Sequence, residues 1–163
     1  MNMNFGYALV RRNRFSVEGK KRLVQTELAI FKDTLKLSQP ELPYQVESIL
    51  AFIQEHLFEN WLNFKEIKRR TGIRNNNISS HFKFYIGLGT REYIECQRIE
   101  AAKALLQDGD FNVFLISISI GYADSSSFCR AFRRRVGCSP GVYREEMSRT
   151  DGKNNYEEVL PRR

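Results

Sequence analysis

The chain repeats itself. The segment Phe82-Lys83-Phe84-Tyr85-Ile86-Gly87-Leu88-Gly89-Thr90-Arg91-Glu92-Tyr93 returns fifty positions later as Phe132-Arg133-Arg134-Arg135-Val136-Gly137-Cys138-Ser139-Pro140-Gly141-Val142-Tyr143, with Phe, Gly and Tyr at identical spacing. Upstream, Thr71-Gly72-Ile73 answers to Ile120-Gly121-Tyr122 at an offset of 49, so the second copy carries one extra residue in the turn that follows. Such a duplication restricts the fold to two related units, each the size of a helical supersecondary motif.

Each unit reads as helix, tight turn, helix. In the first, Phe64 to Arg70 is a short helix with Phe64 and Ile67 inward, and Gly72 supplies the freedom for the turn. Ile78, Phe82 and Ile86 then recur every fourth residue on a second helix. In the second unit Val113, Ile116 and Ile120 share a face, Gly121 turns the chain, and Phe128 and Phe132 lead the inner face of a helix from Ser125 to Val136 that Asp124 is placed to cap. Two helices meeting at a short Gly-containing turn describe a helix-turn-helix. The alternation of Ile116, Ile118 and Ile120 with Ser117 and Ser119 is by itself a strand pattern, but the helical character of Lys65 to Thr71 in the matching unit outweighs it. It leaves Phe114, Leu115 and Ile118 where a solvated helix should be polar.

Between the units, Arg91 to Gln107 lacks Gly and Pro, with Ile99, Ala102 and Leu106 on one face. A helix from Arg91 to Leu106 spans about 24 Å, which suits two units whose second helices enter successive major grooves about 34 Å apart on one side of a duplex. Val46, Ile49, Leu50, Ile53 and Leu57 mark an amphipathic helix packing beneath the first unit.

Charge follows the same division. The 26 Lys and Arg exceed the 19 Asp and Glu by seven. Residues 64–85 hold Lys65, Lys68, Arg69, Arg70, Arg74 and Lys83 against Glu66 alone, and residues 125–136 hold Arg130, Arg133, Arg134 and Arg135 with no acid. Two basic patches on a nearly neutral body suit contact with phosphate, and solvated helix faces are the plainer account of the same charges. No stretch approaches the roughly 20 apolar residues of a membrane helix, and Arg11, Arg12 and Arg14 interrupt any leader-like start, so the expected location is cytoplasmic. Cys96, Cys129 and Cys138 lie far apart, with only His56 and His81 to complete a metal site. Neither a disulfide framework nor a metal centre is expected. His81 has no nucleophile or acidic partner at usable spacing, so no enzyme and no cofactor is read from this chain.

The run Ile120-Gly121-Tyr122-Ala123-Asp124-Ser125-Ser126-Ser127-Phe128-Cys129-Arg130-Ala131-Phe132-Arg133, followed by Gly137-Cys138-Ser139-Pro140 and Tyr143-Arg144, resembles the signature of the AraC/XylS transcription regulators. The resemblance covers about residues 45–147. It implies an all-α, seven-helix domain with two helix-turn-helix units joined by a rigid helix, binding double-stranded DNA as a sequence-specific activator or, less often, a repressor, with RNA polymerase as the natural partner of an activator. The first unit departs from the pattern: Gly89 and Thr90 replace Ser/Thr-Pro, and Asn75-Asn76-Asn77 and Ser79-Ser80 replace longer side chains.

Residue roles follow. Arg130, opposite Phe128 and Phe132, can give two parallel hydrogen bonds to guanine, worth roughly 1 to 3 kcal/mol of discrimination; a phosphate contact or an internal ion pair is the other reading. Ser125, Ser126 and Cys129 share that face, although Ser125 also suits a helix start. Arg133, Arg134 and Arg135 fan round the helix, so one or two, taken as Arg133 and Arg134, go to phosphate and the rest to solvent or acids. In the first unit Asn76, Ser79 and Ser80 are the outward base readers, with adenine preferred by Asn76, while turn chemistry explains Asn75 to Asn77 equally well. Arg69, Arg74 and Lys83 are assigned to phosphate, and Trp61 and Tyr93 to the core or hinge.

Residues 1–44 are read as a basic arm, a helix from Val17 to Leu37 and the linker Ser38 to Pro43, too few to enclose a small-molecule pocket. In that helix Val24, Leu28, Phe31 and Leu35 take coiled-coil spacing, with Leu23, Ile30 and Leu37 in a second row. A homodimer or protein partner gripping Leu28, Phe31 and Leu35 stands beside simple packing on the body; the second partner surface is Phe114, Leu115 and Ile118. Residues 148–163 read as a flexible polar tail after a 45–147 domain. The alternative function is an interaction module of the same fold that binds another regulator and has weak or non-specific DNA binding.

Overall fold

Side chains at the ends of the apolar runs set where the helices start. Asn63 accepts from the Glu66 amide at 3.1 Å, Asn112 from the Leu115 amide at 2.7 Å and Asp124 from the Ser127 amide at 2.7 Å; each satisfies a first-turn donor that has no partner within its own helix. A computed structural model describes residues 16–36, 42–107 and 111–154. Within them run eight helices and no strand: α1 (Val17–Lys36), α2 (Tyr44–Glu55), α3 (Phe64–Thr71), α4 (Ile78–Ile86), α5 (Thr90–Gln107), α6 (Val113–Ser119), α7 (Ser125–Val136) and α8 (Pro140–Asn154). The fold is all-α, with a seven-helix body, α2 to α8, and an additional N-terminal helix. Arg11, Arg12, Arg14, Leu37 and most of the expected linker lie outside the described residues.

Two hydrophobic cores sit side by side. The first gathers Val46, Ile49, Leu50, Ile53 and Leu57 with Ile67, Ile78 and Phe82, and so lies under the hook formed by α3 and α4. The second gathers Ile116, Ile120, Phe128 and Phe132 and lies under the hook formed by α6 and α7. Helix α5 belongs to both: Tyr93 and Ile94 enter the first core, and Ile99, Ala101, Ala102, Leu105 and Leu106 enter the second. Each fully buried Leu, Ile or Phe contributes about 1.5 to 3 kcal/mol by leaving water. The strand-like alternation in α6 is resolved by Ser117, which is buried and donates to the Phe114 carbonyl at 2.8 Å on its own helix.

The N-terminal seam faces inward, which corrects its reading as a partner surface. Leu28 is 3% exposed and packs in the second core with Val24, Phe31 lies against both cores, and Leu35 lies against the first. Lys32 also donates to the carbonyl of Glu55 at the end of α2, and Gln54 donates to the Leu35 carbonyl at 3.3 Å. Coiled-coil spacing states that one face is apolar, and the body of the same chain covers that face. Leu115 is likewise half-buried against the second core, whereas Phe114 and Ile118 stay 66% and 44% exposed. At the other end α8 runs through Asn154, so the segment expected to be loose is helical from Ser148 to Asn154.

Candidate nucleic-acid interface

Helix α7 is anchored by three rings packed edge to face: Phe128 and Phe132 centroids lie 5.6 Å apart, and Tyr143 of α8 stands 5.5 Å from Phe132. With Phe128, Ala131 and Phe132 buried, the helix turns Ser126, Arg130 and Arg133 outward. The guanidinium of Arg130 has one long contact, 3.4 Å to Ser127 Oγ. Two expected base readers are turned away from that face. Ser125 is half-buried with its hydroxyl 3.1 Å from Ser117 Oγ, and Cys129 is half-buried against the core. The hydroxyl of Ser125 closes the α6–α7 corner.

Asp124 also accepts from Ser127 Oγ at 2.9 Å, and the Ser127 backbone bond holds its carboxyl below the ordinary aspartate range. A depressed folded pKa contributes stability that is complete above the unfolded value and is lost as the pH falls through the folded one. The Ser127 amide resonance should therefore titrate below the normal aspartate pKa and lose its dependence on acid in Asp124→Ala. Titration at the ordinary value would show that the cap is open in solution.

In the first hook α4 buries Ile78 and Phe82 and exposes Ser79, Ser80 and Lys83. Asn76 is exposed but sits in the turn, before the helix that begins at Ile78, so its expected place on the recognition helix is corrected. Turn chemistry claims its neighbour: Asn75 accepts from the Asn77 amide at 2.8 Å and donates to Gln45 of α2 at 3.1 Å. Phe84 is 81% exposed with Tyr85 edge-on at 5.1 Å.

Two expected phosphate ligands have internal partners. Arg69 pairs with Glu66 at 2.8 Å, whose carboxyl the Arg69 hydrogen bonds hold below its ordinary range. Arg134 pairs with Glu95 of α5 at 2.6 Å. Arg74, Lys83 and Arg133 remain exposed. Arg70 stacks 4.0 Å from the Trp61 ring, placing that tryptophan at the edge of the first core.

A cleft of about 660 Å³ lies between the hooks, lined by Ser79, Ser80 and Lys83 of α4, Glu92 and Glu95 of α5, and Arg134 and Arg135 of α7. Thus the outward residues of α4 and the end of α7 share one surface. Behind it stands Arg98 of α5, 8% exposed. Its Nε donates to the Leu57 carbonyl at 2.8 Å, Nη2 to Glu59 at 2.7 Å and Nη1 to Gly121 at 3.0 Å. One guanidinium thereby ties the loop leading into the first hook to the turn of the second. Burial pulls its pKa down, partly opposed by Tyr122. No helix among the described residues is long and apolar enough to cross a membrane.

Comparison with known proteins agrees with this architecture. A family model described as a helix-turn-helix domain matches residues 67–146. The uncharacterised HTH-type transcriptional regulator YtdP of Bacillus subtilis strain 168 is 36% identical over 97 residues, which cover 60% of this chain and only 13% of that protein. The DNA-binding domain of AdpA, a global transcriptional factor solved in complex with a target DNA, superposes with a TM-score of 0.57 at 24% identity, over 63% of this chain and 91% of that one. An AraC-type transcriptional regulator from Chromobacterium violaceum does so at 0.54 and 20% identity, over 63% and 91%. By its two hooks, the long motif running from α6 into α8 and these matches, residues 67–146 form a helix-turn-helix domain similar to those of AraC-type regulators.

Proposed function

We propose that this protein is a sequence-specific, cytoplasmic DNA-binding transcription regulator, acting as an activator, that inserts α4 and α7 into successive major grooves. One observation carries the reading: two hooks related by a sequence repeat bury Ile78 and Phe82 in the one and Ile116, Ile120, Phe128 and Phe132 in the other, and turn polar and basic residues of α4 and α7 outward, onto a surface continuous across α5. Arg130, with Ser126, is the base reader of the second hook, and Ser79 and Ser80 are those of the first, with Asn76 approaching from the turn. Arg74, Lys83 and Arg133 contact phosphate and set affinity without choosing sequence. Phe114 and Ile118, exposed on α6, are the surface for a protein partner, RNA polymerase in the case of activation. The reading assigns the chain no catalysis.

Selection from random duplexes with the purified protein tests it. Two short motifs one helical turn apart are the expected result; no enrichment, with binding lost at moderate salt, overturns it in favour of an interaction module of the same fold. On the selected site Arg130→Ala should weaken binding about 10-fold to 100-fold, corresponding to roughly 1 to 3 kcal/mol, and relax the choice of one base. Arg133→Ala should weaken selected and scrambled DNA alike and lower the salt slope by about 1. Equal losses on both DNAs for Arg130→Ala would reduce that residue to a phosphate contact.

A further inference from the structure

The cleft between the hooks holds an acid that the DNA-binding reading does not use. Glu95 projects from α5 with its side chain 19% exposed, and both carboxylate oxygens are taken by the end of the second recognition helix. Arg134 Nη2 lies 2.6 Å from Oε2, and Arg135 Nε lies 3.0 Å from Oε1. Glu92, one turn earlier, adds a contact of 3.7 Å to Arg135 Nη2 and its backbone oxygen a bond of 3.4 Å. Burial pushes the Glu95 carboxyl up, and the two guanidiniums outweigh it and hold it below the ordinary range.

A carboxylate with one guanidinium on each oxygen offers what a phosphodiester offers: one negative charge shared by two acceptors. Lys83 and Arg91 line the same cleft and complete a basic rim round it. We infer that Glu95 is an affinity-setting residue, an internal anion standing where a DNA phosphate would otherwise meet Arg134 and Arg135. The inference rests on the DNA-binding reading. Arg134 is 61% exposed, so its pair with Glu95 adds little to stability. The acid therefore acts on binding more than on folding.

The test measures duplex affinity of the full chain against salt, on selected and scrambled DNA. Glu95→Gln keeps the side-chain shape and removes the charge. It should tighten both DNAs by the same factor, several-fold at moderate salt, and steepen the salt slope by about 0.9 for each arginine released. Adding Arg134→Gln to that variant should remove at least half of the gain, whereas Arg134→Gln in the native chain should leave the slope unchanged. The single Arg134 variant serves even if Glu95→Gln folds poorly. Unchanged affinity and slope in Glu95→Gln, or a slope lowered by about 0.9 in Arg134→Gln alone, would overturn the inference while leaving DNA binding in place. Absence of duplex binding at low salt in both the native chain and Glu95→Gln would overturn the inference and the DNA-binding reading together.

Discussion

Replacing Arg98 by Met should destabilise the protein by about 3 kcal/mol or more, although methionine preserves most of the aliphatic stem. The guanidinium donates to the carbonyls of Leu57, Glu59 and Gly121, in a place where Arg98 itself is 8% exposed. Hydrogen bonds from a charged donor contribute roughly 1.5 to 3 kcal/mol each, and a buried acceptor left without a partner costs roughly 1 to 3 kcal/mol. The Leu57 and Gly121 carbonyls would be orphaned together, while that of Glu59 keeps the Leu62 amide at 3.1 Å, and the desolvation of the lost charge offsets only part of the loss. Arg98→Ala should cost still more, the difference from Met reporting stem packing. Denaturant unfolding of the three proteins settles the matter, and a Met variant within about 0.5 kcal/mol of the native chain would show the latch to be dispensable. The same change should loosen the two hooks from each other, because Arg98 spans from the loop before α3 to the turn before α7. Binding to a site with both half-motifs should then fall toward binding to either half-motif alone.

What sequence could and could not disclose follows the range of the interactions involved. The hooks, the joining helix and the Asp124 cap were legible because their signals are local: apolar residues every third or fourth position, a glycine at the turn, an acceptor before a first turn. The repeat did more than either copy alone, overruling the strand-like spacing of Ile116, Ile118 and Ile120. Arg98 gave no such signal. Its acceptors lie 41, 39 and 23 residues away along the chain, and it reads as one more basic residue on a polar helix. Glu95 was hidden in the same way, with its arginines 39 and 40 residues distant. The seam of α1 was visible as a seam, but spacing cannot say whether a second chain or the same chain covers it. Asn76 was misplaced by a different route, since the first hook spends several residues on a turn held by Asn75 and starts its helix only at Ile78.

That difference between the two turns leads to a sharper expectation. Gly72 and Gly121 are equivalent by the repeat, and both hold a positive φ, +68° and +89°. A side chain in this left-handed region costs roughly 1 to 2 kcal/mol, so Gly72→Ala, whose new methyl meets nothing within 4 Å, should cost about that much. Gly121→Ala carries the same strain and also a collision. Its Cβ would stand 2.8 Å from the Phe58 carbonyl oxygen, 2.8 Å from Arg98 Nη2 and 2.9 Å from Arg98 Cζ. The backbone oxygen cannot step aside as a flexible side-chain end can, and moving the guanidinium breaks the latch. The expected loss for Gly121→Ala is therefore about 3 kcal/mol or more, measured beside Gly72→Ala by denaturant unfolding. Combined with Arg98→Ala it should cost less than the sum of the two single changes by at least about 0.5 kcal/mol, because one clash and one set of bonds would be removed only once. Equal losses at the two glycines would mean that the second turn is as open as the first. The two cores would then not be pressed together there, and the second hook would swing on α5 instead of being fixed to the first.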